Sequence, residues 1–280
     1  MGRKKRLKFA QKSVLGVIFL LASTLSQAEL TLAVQPNAPK ADDPTFYQDF
    51  ADILTELLDE KVTYMPERSW SKFRKSLMAY NYDLLIAESH LTALLTLNTG
   101  NGGLDYSVLA AIPDQVTYKV VTNTESGLTD LKDLNGKHVC TPISPGLAAV
   151  AFLNQYKDDP VNPPLVVESK KGVERSYQSM MKNRCQAMVM TGLEFEKLKI
   201  TAEDLVTVYE TRVFPGWALN FNPAQPRERR KLITDLMTAM QAPAVKELYQ
   251  SLSAQAGGFV DKTKEDYTDY NILPGVVWGW

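Results

Sequence analysis

The stretch from Lys137 to Tyr156, KHVCTPISPGLAAVAFLNQY, constrains the fold of this chain more than any other. Val139 and Cys140 suit a pleated, buried surface and Gly136 punctuates the chain just before them, so Lys137–Thr141 reads as a strand. The chain then turns through Pro142, Ser144, Pro145 and Gly146. Beyond the turn, Leu147, Val150, Leu153 and Tyr156 recur on one helical face, with small Ala148, Ala149 and Ala151 between them. Ser144 is a suitable N-cap, and Pro145 fits the first helical position, where a missing N–H costs nothing. A strand that feeds a freshly capped helix points unpaired N–H groups and the positive end of a dipole outward, which favours an anion. An ordinary βα turn of an α/β domain has the same pattern, so the rest of the chain has to discriminate.

Upstream, Leu30–Val34 reads as a first strand, and Asp43-Pro44 opens a helix carrying Phe46, Phe50, Ile53, Leu54, Leu57 and Leu58 at the 3.6-residue period. Val62–Met65 is a second strand, and Trp70, Phe73, Leu77 and Met78 mark a second helix. Tyr82–Ala87 is a near-continuous apolar run, as in a parallel strand covered on both faces, and Ser89 can cap the helix that follows. Such βαβαβα order predicts a parallel sheet. After the Gly-rich turn at 98–105 a long extended segment, Tyr106–Thr122, leaves this unit, interrupted only by Pro113. Leu128, Leu131 and Leu134 then mark a short helix with Gly136 past its end.

The second unit repeats the first, with strands at Lys137–Thr141, Leu165–Glu168 and Gln186–Met190 and helices after each, the second over about 172–182. Past Leu205–Glu210 the chain runs through Phe214-Pro215-Gly216 into Trp217–Phe221, which is expected to return it to the first unit. Helices around Leu232–Met240 and Val245–Leu252 pack outside. The aromatic tail (Tyr267, Tyr270, Trp278, Trp280) is expected to pack across a domain back.

Residues 1–28 are expected to be a signal peptide rather than part of the fold. Arg3, Lys4, Lys5, Arg6, Lys8 and Lys12 form a basic start, Val14–Ala22 is apolar but too short to span a bilayer, and Ser26-Gln27-Ala28 offers small residues for cleavage. No Cys lies near that cut, so the expected product is a soluble periplasmic protein and not a lipoprotein. Its loss removes six positive and no negative charges, leaving 25 Lys and Arg against 32 Asp and Glu, a formal balance of −7. An acidic mature chain argues against nucleic acid as a partner. It also means that an anion must be held by local donors rather than by the overall field.

Catalytic and metal chemistry is poorly provided for. His90 and His138 are the only histidines and fall in different units, His138 inside a strand. HExxH, GxSxG, GxxxxGK[ST] and CxxC are all absent, so no catalytic residue, metal or cofactor is assigned. Cys140 and Cys185 are the only cysteines, in a chain addressed to an oxidising compartment. A bridge between them is possible, but Cys140 lies late in its strand and Cys185 just before its own. That offset, at roughly 3.3 Å per residue, strains the ~7 Å limit on Cα separation.

Taken together, five blocks carry a family resemblance: YDLLIAESHLTALLTLNTGNGGLDYSVLA, LTDLKDLNGKHVCTPISPGLAA, ERSYQSMMKNRCQAMVM, FPGWALNFNP and GGFVDKTKEDYTDY. Through most of residues 29–270 the chain resembles the phosphonate/phosphite/phosphate-type periplasmic substrate-binding proteins of ABC transporters, within the type II periplasmic-binding-protein fold. The resemblance implies an α/β molecule of two lobes, each a mainly parallel sheet flanked by helices, joined by two crossover strands. Lobe I would comprise residues 29–113 and 214–280, and lobe II residues 114–213. A small anionic ligand would be trapped in the cleft between them by hinge closure, at the carboxyl ends of the strands.

By the same resemblance, Ser144 and Gly146 match the turn that clasps an oxyanion, and Ser89 and His90 match the turn after the third strand. Tyr47 and Trp70 fall where aromatic walls are expected, and Lys170 and Lys171 where a polar contact is common. Thr141 and Thr191 stand at strand ends on the expected cleft. The turn TPISPG is poorer in hydroxyls than the Ser-Thr-Ser-Gly form of a phosphonate binder, which leaves another small oxyanion or carboxylate open. The implied partner is an ABC permease or, alternatively, a membrane sensor kinase or cyclase. An enzyme on the same scaffold is a distant third, because it needs a His or Cys cluster in the cleft.

Overall fold

The computed structural model describes residues 29–38, 40, 43–96, 104–112, 116–142, 146–158, 161–169, 172–200, 202, 204–222, 238–250, 259–260 and 262–270. The expected signal peptide (1–28) and three of the expected site residues, Ser144, Lys170 and Lys171, lie outside them.

In chain order the elements are β1 (Leu30–Val34), α1 (Pro44–Leu58), β2 (Val62–Met65), α2 (Trp70–Met78), β3 (Leu84–Ala87), α3 (Ser89–Thr96) and β4 (Ser107–Ala111). There follow β5 (Tyr118–Asn123), β6 (His138–Thr141), α4 (Leu147–Leu153), β7 (Leu165–Glu168), α5 (Gly172–Met181), β8 (Ala187–Thr191), α6 (Gly192–Lys199), β9 (Leu205–Glu210), β10 (Ala218–Phe221) and α7 (Pro243–Gln250). Local chemistry explains several boundaries. The Asp43 carboxylate accepts from Thr45 N–H at 3.1 Å to cap α1, Pro44 fills the first helical position, and Asp59, in left-handed backbone at φ 50°, ends it. Asp130 and Asp133 form a reciprocal capping box on the 3₁₀ turn Leu131–Leu134, and Thr191 and Glu194 do the same on α6.

Two five-stranded sheets result, ordered β2-β1-β3-β10-β4 and β7-β6-β8-β5-β9. In the first, β1 runs parallel to β2 and β3 (Leu32 opposite Tyr64 and Leu84) while β10 is antiparallel to both β3 and β4. In the second, β6 runs parallel to β7 and β8 while β5 is antiparallel to β8 and β9. The sheets are therefore mixed rather than mainly parallel. The physical reason is connectivity: in each sheet the fourth strand is the one arriving from the other unit, and it enters from the opposite end.

Alternation along the strands builds a core on both faces of each sheet. Leu30, Leu32 and Val34 pack with Phe50 and Leu54 of α1, whereas Ala33, Leu85 and Ala87 pack with Phe73, Leu77 and Leu91. In the second sheet Val139 and Val189 face Val150 and Phe152, whereas Cys140, Met188 and Met190 face Met180 and Phe195. Each such Leu or Phe, fully buried, contributes about 1.5–3 kcal/mol.

The extended segment expected over Tyr106–Thr122 is split between the sheets, with β4 in the first and β5 in the second. The two crossings lie side by side: Val116 and Phe214 exchange both backbone hydrogen bonds at 2.8 Å, and Ile112 N–H reaches Trp217 O at 2.7 Å. The tail packs over this junction. Tyr267 is fully buried against Ala93, Ala111 and Ala218, and Tyr270 lies 5.5 Å from Phe214, centroid to centroid, beneath the Arg212 guanidinium.

Two expectations need correction, and a third, left open, is decided. The helix expected to start at Pro145 starts at Leu147, because Gly146 is still extended (φ −64°, ψ 161°) and its carbonyl accepts the first helical bond, from Val150. Ser89 does not cap α3 but begins it, and the Glu88 carbonyl accepts from Thr92 N–H at 2.9 Å. The third concerns the cysteines. Cys140 and Cys185 are bridged, with Cα atoms 5.7 Å apart. The offset argument counted the residues from Cys185 into β8 at strand spacing. Instead, α5 ends in a Schellman turn, with Asn183 at φ 54°, Asn183 N–H on Met180 O and Arg184 N–H on Ser179 O. That turn brings Cys185 across the sheet face beside Cys140, where both are buried with Met180 and Met188.

Candidate functional site

The carboxyl ends of β1 and β3 are neighbours because the strands pair in parallel, and both leave the sheet through polar residues. Gln35, fully buried, donates its backbone N–H to Ile86 O and accepts from Glu88 N–H at its Oε1. Its Nε2 donates to Asn37 Oδ1 and to Glu88 Oε2, both at 2.7 Å. Asn37 Nδ2 adds a third contact, to the same Glu88 oxygen at 3.1 Å. Across the junction between the sheets, the backbone N–H of Leu147, first residue of α4, donates to that oxygen at 2.9 Å. A carboxylate anchored in the first unit thus meets the start of a helix in the second.

This carboxylate is costly to keep charged. Burial raises its proton affinity above the usual glutamate range, and the hydrogen bonds from Asn37, Leu147 and Gln35 pull partly the other way. Tyr118 of β5 is fully buried nearby, and its hydroxyl is held well above its usual range, first by burial and then by the negative Glu88. His90 Nδ1 lies 3.8 Å from Glu88 Oε2 in a wholly buried side chain. Ser89 is equally buried, and its hydroxyl finds no hydrogen-bond partner among the described residues.

The expected site residues therefore divide. Ser89, His90 and Gly146 come together around Glu88, with Gly146 directly preceding the Leu147 donor. Tyr47 is fully buried in the first core, its ring 5.2 Å from Phe46 and 5.5 Å from Tyr64, and burial raises its hydroxyl above the usual range. Trp70 is half-buried against Phe73. Thr141 donates its hydroxyl to Pro142 O, and the Thr191 hydroxyl is occupied by the capping box with Glu194. His138, at the start of β6, is exposed.

Sequence reasoning places the ligand at strand ends that include Val34–Asn37 and Ala87–His90 but singles out none of Gln35, Asn37 and Glu88. The clue was there: a polar or charged residue directly after a fully apolar strand, LTLAV before Gln35 and LLIA before Glu88, stands at a strand's carboxyl end.

Comparison with known proteins bears on the fold and the family. The family model described as the periplasmic substrate-binding protein of phosphonate ABC transporters matches residues 32–267. Among curated proteins, none matches the sequence. Three of the many solved structures that share the fold are described. A binding-protein component of an ABC phosphonate transporter from Pseudomonas aeruginosa is 12% identical, with a TM-score of 0.59 over 85% of this chain and 83% of that one. PhnD1 from Prochlorococcus marinus, solved with methylphosphonate, is 15% identical, with a TM-score of 0.60 over 87% and 96%. A Xanthomonas citri protein solved with ATP is 10% identical, with a TM-score of 0.65 over 87% and 96%. The two mixed sheets flanked by helices are thus those of a two-lobed periplasmic binding protein, and among the described residues no helix is long and apolar enough to cross a membrane. The chain belongs to the family of periplasmic substrate-binding proteins of phosphonate ABC transporters.

Proposed function

We propose that this chain captures a small phosphonate-like oxyanion between its lobes and delivers it to the permease of an ABC importer, without chemical turnover. The observation that carries the reading is the hydrogen bond from Leu147 N–H to Glu88, which joins the carboxyl end of β3 to the start of α4 at one buried polar point. The lobes are taken as residues 29–113 with 214–280 and residues 114–213. The paired crossings at Val116 and Phe214 act as the hinge. Ser89 and His90 would face the ligand from one lobe, and Ser144, Gly146, Lys170 and Lys171 from the other. Affinity would come from contacts made only when the lobes close.

A thermal-shift screen tests this. At least one of methylphosphonate, phosphite and phosphate is expected to raise the melting temperature, because a ligand at a hundredfold excess over Kd stabilises the native state by about 2.7 kcal/mol. A flat response to all three, at millimolar concentration, removes the oxyanion reading.

A further inference from the structure

The tail that covers the junction between the sheets is fastened on both sides of it. On one side, Val260 N–H donates to Ala111 O at 2.9 Å and Ala111 N–H to Val260 O at 3.0 Å, which stitches the tail to β4. Tyr267 adds a fully buried anchor against Ala93, Ala111 and Ala218. On the other side stands Arg212, whose backbone is fixed to the second sheet. Its neighbour Thr211 donates N–H to Tyr118 O and accepts from Tyr118 N–H at its hydroxyl, both at 2.9 Å. The Arg212 side chain, on an exposed residue, then reaches back over the tail. It donates to the Asp269 carbonyl, and its guanidinium carbon lies 4.5 Å from the centre of the Tyr270 ring.

The contact continues inward. Tyr270 lies 5.5 Å from Phe214, and Phe214 lies 6.2 Å from Tyr118, which is buried beside Glu88. A row of rings thus runs from the tail to the base of the cleft. A rotation about the paired crossings at Val116 and Phe214 leaves Val260 and Tyr267 with the first sheet and carries Arg212 with the second. A planar guanidinium bonded to one carbonyl and stacked on one ring tolerates little displacement. Swinging the sheets apart therefore strips Arg212 from Asp269 and Tyr270, and the same swing breaks the bond from Leu147 N–H to Glu88.

We propose that Arg212 is a positioning residue for ligand capture: held on Asp269 and Tyr270, it keeps the lobes in their apposed arrangement and so sets affinity without touching the ligand. The inference rests on the two-lobed capture reading given above and adds what fixes the closing equilibrium. A ligand that binds only the apposed arrangement has an apparent affinity in proportion to the fraction of molecules already in it. A contact outside the cleft that raises this fraction acts on every ligand alike.

Calorimetric titration with methylphosphonate, phosphite and phosphate, paired with small-angle X-ray scattering of the ligand-free protein, tests this. Arg212→Ala is expected to weaken each anion that wild type binds by the same factor, about three- to tenfold, the order of one exposed cation–π contact with a charge-assisted hydrogen bond. Its ligand-free radius of gyration is expected to exceed that of wild type and to return to the wild-type value at saturating ligand. Arg212→Lys, which keeps the charge over the ring, is expected to recover part of both. Tyr270→Leu removes the other half of the contact and is expected to repeat Arg212→Ala, so it decides the matter should that variant fail to fold. Unchanged affinity overturns the proposal and leaves the capture reading standing. Weaker binding with an unchanged radius of gyration does the same, since it marks a merely structural role. Binding of none of the three anions by wild type removes both.

Discussion

At the scale of single residues, Glu88 is a charged group placed where solvation is scarce, and its placement has a thermodynamic signature. In the unfolded chain its carboxyl titrates near 4.5; burial raises that value in the native state. Between 4.5 and the raised value the folded protein holds more protons than the unfolded one, so Glu88 makes stability decline as pH rises through that window. Glu88→Gln deletes this linkage. Urea unfolding from pH 5 to 8 is expected to show the variant gaining on wild type as pH increases, and parallel stability curves would contradict it. A lone residue of this kind is hard to see in sequence. Glu88 reads as an ordinary polar helix start until β1 and α4 bring Gln35 and Leu147 to it.

At the scale of elements, most of the fold was legible because each segment's own chemistry agreed with its final state. Asp43-Pro44 opens α1, the apolar run before Glu88 is a central parallel strand, and the 3₁₀ turn ending at Leu134 closes on Gly136, which needs its positive φ of 69°. The disulfide was legible only as a possibility, because its geometry depends on how α5 ends. The Schellman turn at Asn183 is a backbone event that strand register alone does not foretell. The bridge closes a loop of 45 residues, and in the loop-entropy model it contributes roughly 4 kcal/mol. Cys140→Ser with Cys185→Ser is expected to lower the urea midpoint accordingly. Wild type in reductant should match the variant, and a midpoint unmoved by either treatment would sink the assignment of a stabilising role.

At the scale of the whole molecule, two sheets are joined by a pair of crossings, and the tail covers the junction. Tyr267 is the keystone of that cover, fully buried against alanines from α3, β4 and β10. Tyr267→Ala is expected to cost about 3–5 kcal/mol in denaturant unfolding, as for other large buried aromatics. Its hydroxyl has no hydrogen-bond partner among the described residues, so Tyr267→Phe is expected to be neutral or mildly stabilising. A large loss in the Phe variant would mean that the hydroxyl is satisfied by a group outside those residues.

Strand and helix periodicity, the repeated βα order and the residues quoted for the family resemblance were sufficient, without coordinates, for the α/β class and the family. These are properties of short segments, where side-chain spacing and capping act within a few residues. Tertiary structure alone decided the mixed character of the sheets, the meeting of Cys140 with Cys185, and the gathering of Gln35, Asn37, Glu88 and Leu147 at one point. Each of these three depends on separations of about 45 to 140 residues, across which no local pattern carries information about distance or direction.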